Sequence, residues 1–239
     1  MLIFAHRGAS GRAPDNTIKA FNLAMSMGTT AIESDIKRTL DGKLVFFHDY
    51  TAKILGGRVS IPVIMLTHRL LAKIDVGHNQ RVPSIAETFE YYRKKGILDE
   101  ITWSLDLPDN FTIRKFAHTC KQFGIEKNIH VCNTKPRILS SWSQILPNST
   151  LVWSIRKRQL DDLGPMKAVR LARSRGVHVV NVKCDDIVHG IEKQVRTHGL
   201  DLYIWDVHDE RRYKKALGYK PDAIYTNYPG MVLSGSWGP

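Results

Sequence analysis

Residues 2–36 read LIFAHRGASGRAPDNTIKAFNLAMSMGTTAIESDI and contain one complete strand–helix–strand unit. LIFA (2–5) and AIESDI (31–36) are short apolar runs of strand type. Between them, in NTIKAFNLAMSMG (16–28), Ala20, Phe21 and Ala24 recur at helical spacing, Asn16 is placed to cap the start, and Gly28 sits where a helix stops. Two strands joined by a crossover helix run parallel.

The unit recurs along the chain. Further runs are ITWSLDL (101–107), NIHVC (128–132), TLVWSI (150–155), VHVVNV (177–182), DLYIWDV (201–207) and DAIYT (222–226), which makes eight. SIAETFEYYRKKG (84–96) and PMKAVRLARSRG (165–176) are helix-like segments that end on glycine in the same way. Eight repeats without a linker predict a (β/α)8 TIM barrel as a single domain over residues 1–239. KLVFFHD (43–49), after the turn signal LDG, reads as a short hairpin-like insertion following the second strand, and the stretch from Tyr50 to Arg81 reads as irregular. The competing doubly wound sheet would carry a G-x-G-x-x-G loop after its first strand, and GASG (8–11) does not match it.

Composition narrows the partners. Lys and Arg total 35 against 23 acidic residues, a formal charge of +12, so the surface favours anions such as phosphate esters. The basic residues are scattered and not clustered with aromatics, which argues against a specific nucleic-acid partner. The three cysteines, Cys120, Cys132 and Cys184, lack CxxC spacing, which disfavours a disulfide framework or a zinc site. No apolar run approaches the roughly 20 residues of a transmembrane helix, so cytoplasmic residence is the expectation.

In a barrel, active-site groups come from the C-terminal strand ends. His6 and Arg7 end the first strand, Glu33 and Asp35 lie on the second, His48 follows the insertion, Asp106 ends the third, and Trp205 is late in the seventh. Glu33 and Asp35, at i and i+2, share one strand face, while Ile32, Ser34 and Ile36 take the other. Two carboxylates turned into a barrel repel each other and are desolvated unless a cation holds them. Asp106 can add a third oxygen, which suits Mg2+ or Ca2+ better than zinc.

Together these residues resemble the glycerophosphodiester phosphodiesterase family, whose pattern runs H-R-G-x-x-x-x-x-P-E-N-T, then E-x-D, then x-D-G-x-x-V-x-x-H-D. Here it stands as HRGASGRAPDNT (6–17) and AIESDIKRTLDGKLVFFHD (31–49). VPSIAETFEYY, SLDLP, WDVHD and DAIYTNYPG extend the likeness over nearly the whole chain. The resemblance implies a (β/α)8 barrel, His6 and His48 as general acid and base, and Glu33, Asp35 and Asp106 as ligands of one divalent cation. It further implies Arg7 on a phosphate oxygen and Trp205 walling the alcohol pocket. The substrate would be a small phosphodiester, split into glycerol 3-phosphate and an alcohol after attack by the neighbouring glycerol hydroxyl.

The chain departs from the pattern at four places. Asp15 replaces a Glu, Asp106 a Glu ligand and Pro108 a lysine, and the terminal T-D-x-P stands as TNYP (226–229). Related venom-type phospholipase D enzymes carry an Asp as third ligand, so a phospholipase D-like activity on lysophospholipids is an alternative, with GGRVSIPVIML (56–66) as a candidate apolar groove. A non-catalytic anion-binding barrel is another. The alcohol, the preferred metal and the oligomeric state are not legible in the sequence.

Overall fold

The computed structural model describes residues 1–54 and 57–237, and Gly56 of the candidate groove segment lies outside them. Eight parallel strands form the barrel: β1 (Leu2–His6), β2 (Ala31–Arg38), β6 (Thr102–Asp106), β7 (Ile129–Asn133), β8 (Thr150–Ile155), β9 (Val179–Lys183), β10 (Asp201–Trp205) and β11 (Ala223–Thr226). They follow one another around the sheet, and pairing of β1 with both β11 and β2 closes it. Each coincides with one of the eight apolar runs. Beyond the barrel, β3 (Leu44–Phe46) returns antiparallel along the end of β2, as the hairpin-like insertion requires.

Alternation along the strands separates two environments. The outward residues Ile32 and Ile36 of β2, Trp103 of β6 and Val180 and Val182 of β9 are fully buried under the surrounding helices. The inward set in the lower barrel is Phe4, Val152, Val179, Tyr203 and Tyr225, with Phe4 stacked on Tyr225 at 4.8 Å between ring centroids. The largest outward cluster is aromatic. Trp103 is met by Phe21 of α1 (Ile18–Ser26), Phe46 of β3 and Phe89 of α3 (Ile85–Lys94), with centroids 5.4–5.6 Å away. Truncating such a side chain to alanine typically costs ~3–5 kcal/mol, so the insertion strand is welded to the barrel by β6 and two helices.

Three details differ from the sequence reading. Thr17, not Asn16, caps α1: its hydroxyl accepts from the Ala20 amide at 3.2 Å. The segment 50–81 holds a small antiparallel pair, β4 (Thr51–Ile54) with β5 (Val59–Pro62), and a one-turn helix, α2 (His68–Leu71). Between β6 and β9 lie α4 (Asn110–Phe123), α5 (Pro136–Trp142) and α6 (Lys157–Ser174). The last starts eight residues before the expected Pro165 and bends at Gly164, whose φ of 68° is non-helical. A capping box at Ser84 and Glu87 fixes the start of α3 where it was expected.

Candidate active site

Register assembles the site. Glu33 is paired with His6 of β1 on one side and Ser104 of β6 on the other, and two residues further up Asp35 is paired with Asp106. All three carboxylates therefore face inward at one end of the barrel, and one oxygen from each lies within 4.8 Å of the others. Glu33 and Asp35 are buried, at 6% and 7% exposure, while Asp106 stands at the open side. Burial pushes the Glu33 carboxyl well above the usual range, and the neighbouring charges of Asp35 and Asp106 add to it. The Asp106 carboxyl is pushed up to about 6, first by desolvation and then by Asp35. Such a cluster is electrostatically incomplete, and the all-oxygen donor set fits one hard divalent cation.

The loop after β1 delivers the next two groups. Gly8, at φ +83°, closes the turn against α1, where a Cβ would lie 2.6 Å from the Ala20 carbonyl carbon. This turn holds Arg7 at φ 58°, an uncommon conformation for a side-chain-bearing residue, and directs its backbone N–H onto both the carbonyl and the carboxylate of Glu33. The guanidinium contacts Asp15 at 3.2 Å, and its Nε lies 3.2 Å from Asp35 Oδ2 without a hydrogen-bonding alignment. One buried guanidinium donor is thus left facing the carboxylate site.

His6 Nδ1 donates to Asn227 Oδ1 at 2.7 Å, which leaves the lone pair on Nε2, the nitrogen turned toward Glu33 at 3.8 Å. Burial, then the Arg7 charge, lowers the His6 pKa to about 4, so the ring is neutral at ordinary pH. His48 is exposed and its Nδ1 pairs with the Asp49 carboxylate at 2.7 Å. A cavity of about 430 Å³ brings His6, Arg7, the carboxylate triad, His48 and Trp205 onto one wall system. The seven residues given a site role from the sequence are therefore gathered there.

Several groups in or beside the cavity escaped the sequence reading. Asn227 was noticed only as a departure from the terminal pattern, yet it fixes the His6 ring. Lys37 continues the inward series Glu33, Asp35, Lys37 on β2, so the two-residue period could have found it. Asn181 and Lys183 follow the same period on β9, and the Asn181 Oδ1 and Trp205 Nε1 are buried without a hydrogen-bond partner among the described residues. Asn16, read as a cap, instead lies at φ 58° and donates to Asp35 Oδ2 at 3.4 Å while accepting from Ser34 Oγ at 2.5 Å.

The model of the glycerophosphoryl diester phosphodiesterase family matches residues 6–231, nearly the whole chain. The chain belongs to that family. Membership makes it an enzyme of phosphodiester hydrolysis, a glycerophosphodiester phosphodiesterase by class. It is similar to the glycerophosphodiester phosphodiesterase of Caldanaerobacter subterraneus subsp. tengcongensis, at 24% identity over 98% of this chain and 96% of the relative. The uncharacterized protein YqiK of Bacillus subtilis (strain 168) is 51% identical over 95% of both chains. The solved structure of an Oleispira antarctica phosphodiesterase in complex with the product sn-glycerol-3-phosphate superposes with a TM-score of 0.77, at 17% identity over 98% of this chain and 96% of that one. That likeness establishes the fold of this phosphodiesterase as the barrel described above. No helix among its described residues is long and apolar enough to cross a membrane.

Proposed function

We propose that this phosphodiesterase hydrolyses glycerophosphodiesters to glycerol 3-phosphate and an alcohol, with Glu33, Asp35 and Asp106 holding one divalent cation, Mg2+ or Ca2+. The observation that carries this reading is that two imidazoles and the carboxylate triad line one cavity. A cation bound there supplies a Lewis acid for the charge that grows on the phosphate oxygens. Arg7 adds a guanidinium donor for the same oxygens, from a backbone position that Glu33 and Gly8 fix.

His6 accepts a proton at Nε2, since Asn227 holds the proton on Nδ1 and the lowered pKa keeps the ring neutral. His48, with Asp49 accepting from its Nδ1, delivers a proton to the departing alcohol. Asn181 Oδ1 and Trp205 Nε1 provide an unpaired acceptor and donor for the glycerol hydroxyls, a pairing that polar substrates satisfy and an acyl chain would not. A cytoplasmic location completes the reading.

A panel of glycerophosphodiesters and lysophospholipids, assayed with Mg2+, with Ca2+ and with chelator, tests it. Release of glycerol 3-phosphate that chelator abolishes is expected. Release of a free headgroup from lysolipids alone would replace this reading with the phospholipase D-like one, and a protein that binds but cleaves nothing would replace both with an anion-binding barrel.

A further inference from the structure

The cavity at the triad has a second arm. Asp35, His48, Asp106 and Arg156 are shared between the central cavity and an adjoining one of about 410 Å³ that runs past Pro108 to Lys37, Tyr50 and Lys135. His48 stands in the shared wall, so on the proposed roles an alcohol protonated there has this arm open beside it.

The charge of the arm is one-sided. Lys37, Lys135 and Arg156 line it, and none of them is in an ion pair among the described residues. Among the described residues the only carboxylates lining it are Asp35 and Asp106, which belong to the proposed metal-holding triad. Pro108 contributes no charge, so the arm's cations come from the end of β2 and from the residues that precede α5 and α6.

The aromatic faces point the same way. A quaternary ammonium is recognised over the face of Trp or Tyr, within about 6 Å of the ring centroid. Here Lys37 Nζ already sits 4.9 Å from the Tyr50 centroid, and Lys183 Nζ sits 5.5 Å from that of Trp205. Trp205 lines the central cavity, so the face a choline headgroup would need in the arm is that of Tyr50, and it already carries the protein's own Lys37 ammonium, which would also repel such a headgroup.

We infer, resting on the glycerophosphodiesterase reading, that this arm receives an alcohol that is itself anionic, a second phosphate ester, held by Lys37, Lys135 and Arg156. Choline-type headgroups are correspondingly disfavoured.

The test measures kcat/KM for three glycerophosphodiesters whose alcohols are choline, glycerol and glycerol phosphate, at low and high ionic strength. The phosphate-bearing substrate should be favoured over the choline one by about tenfold or more at low salt, since hydrogen bonds to charged groups typically contribute that much. The ratio should shrink as salt screens the exposed cations. It should also fall in Lys37→Gln, at a half-buried position, and in the double variant Lys135→Gln/Arg156→Gln, where Lys135 and Arg156 are both exposed and therefore safe for folding. Hydrolysis of all three without anionic preference, or a ratio that survives the double variant and Lys37→Gln, overturns this inference and leaves the phosphodiesterase reading standing. Failure to cleave any of the three overturns both.

Discussion

His6 Nδ1 lies 2.7 Å from Asn227 Oδ1, a bond between the ends of β1 and β11 that ties the first strand of the barrel to the last. It selects the imidazole tautomer whose Nε2 faces the carboxylates, so Asn227 is a positioning residue. Asn227→Ala is expected to lower kcat about tenfold or more with little change in KM, the loss expected when a base is misoriented. Asn227→Asp places a carboxylate on His6 and raises its pKa. Since His6 must be neutral to accept a proton, the acidic limb of the pH–rate profile should move to higher pH. An unmoved limb in Asn227→Asp would remove His6 from the base role.

The carboxylate triad makes a prediction about stability. Glu33 and Asp106 have raised pKa values in the metal-free fold, so the folded chain holds their protons more tightly than the unfolded one. Their mutual repulsion thus destabilises the metal-free protein at pH above about 6, and falling pH relieves it. A divalent cation provides the same relief. The rise in Tm on adding Mg2+ or Ca2+ should be larger at pH 8 than near pH 5, and Asp35→Asn should abolish it. Calorimetry showing equal increments at both pH values would count against the site.

Asn16 offers a purely conformational test. Its φ of 58° and its two side-chain bonds, to Asp35 and from Ser34, join the loop before α1 to both faces of β2. Asn16→Gly keeps the backbone conformation and loses only the bonds, whereas Asn16→Ala loses the bonds and adds roughly 1–2 kcal/mol of left-handed strain. The alanine variant should melt a few degrees below the glycine variant. The reverse order would show that the extra unfolded-state freedom of glycine outweighs the left-handed strain at this position.

How much of this was open to reading from the sequence follows from which forces act locally. The eight strands were legible because alternation and glycine stops are properties of neighbouring residues. The triad was legible because Glu33 and Asp35 share a face of one strand. The Asn16 role was not, since its partners Asp35 and Ser34 lie across a helix and a loop, and capping is the commoner use of an Asn at that place. The β4–β5 pair was missed because Thr51–Ile54 and Val59–Pro62 are four residues each and mostly exposed, so burial imposed no strong pattern on them. The inward position of Lys37 was readable from the period, but its placement over Tyr50 depends on the chain returning after β3.

His130 carries a second pH effect, away from the site. It is 9% exposed inside the lower barrel, between Phe4 and Tyr203, and burial lowers its pKa to about 4. In the unfolded chain it titrates near 6.5, so between those values the unfolded state binds the extra proton. Stability from this residue is complete above about pH 6.5 and falls as the pH drops toward 4, by roughly 3 kcal/mol at full extent. Melting curves across that window should be flatter for His130→Gln than for the wild type, and parallel curves would place the acid sensitivity elsewhere.

The last prediction concerns which group attacks phosphorus. Ser34, the hydroxyl nearest the motif in sequence, is fully buried on the outward face of β2 and bonded to Asn16, so it cannot reach the substrate. Ser104 is bonded to Tyr225 at 2.9 Å in the buried interior. Ser154 does line the cavity, where its Oγ accepts from Asn181 Nδ2 at 3.2 Å. No imidazole bonds to it, so it lacks the adjacent base that activates a serine nucleophile. On the proposed mechanism the attack is expected from the substrate's own glycerol hydroxyl, beside the phosphoester oxygen, with the advantage of an intramolecular step, and His6 Nε2 is placed to take its proton. Substrates with that hydroxyl should therefore react much faster than deoxy or methylated analogues, with a cyclic phosphate visible by phosphorus NMR before the open monoester, and Ser154→Ala should leave the cyclic species unchanged. Equal rates for the deoxy analogue with no cyclic species, or loss of all turnover in Ser154→Ala, would assign the attack to water or to the serine instead.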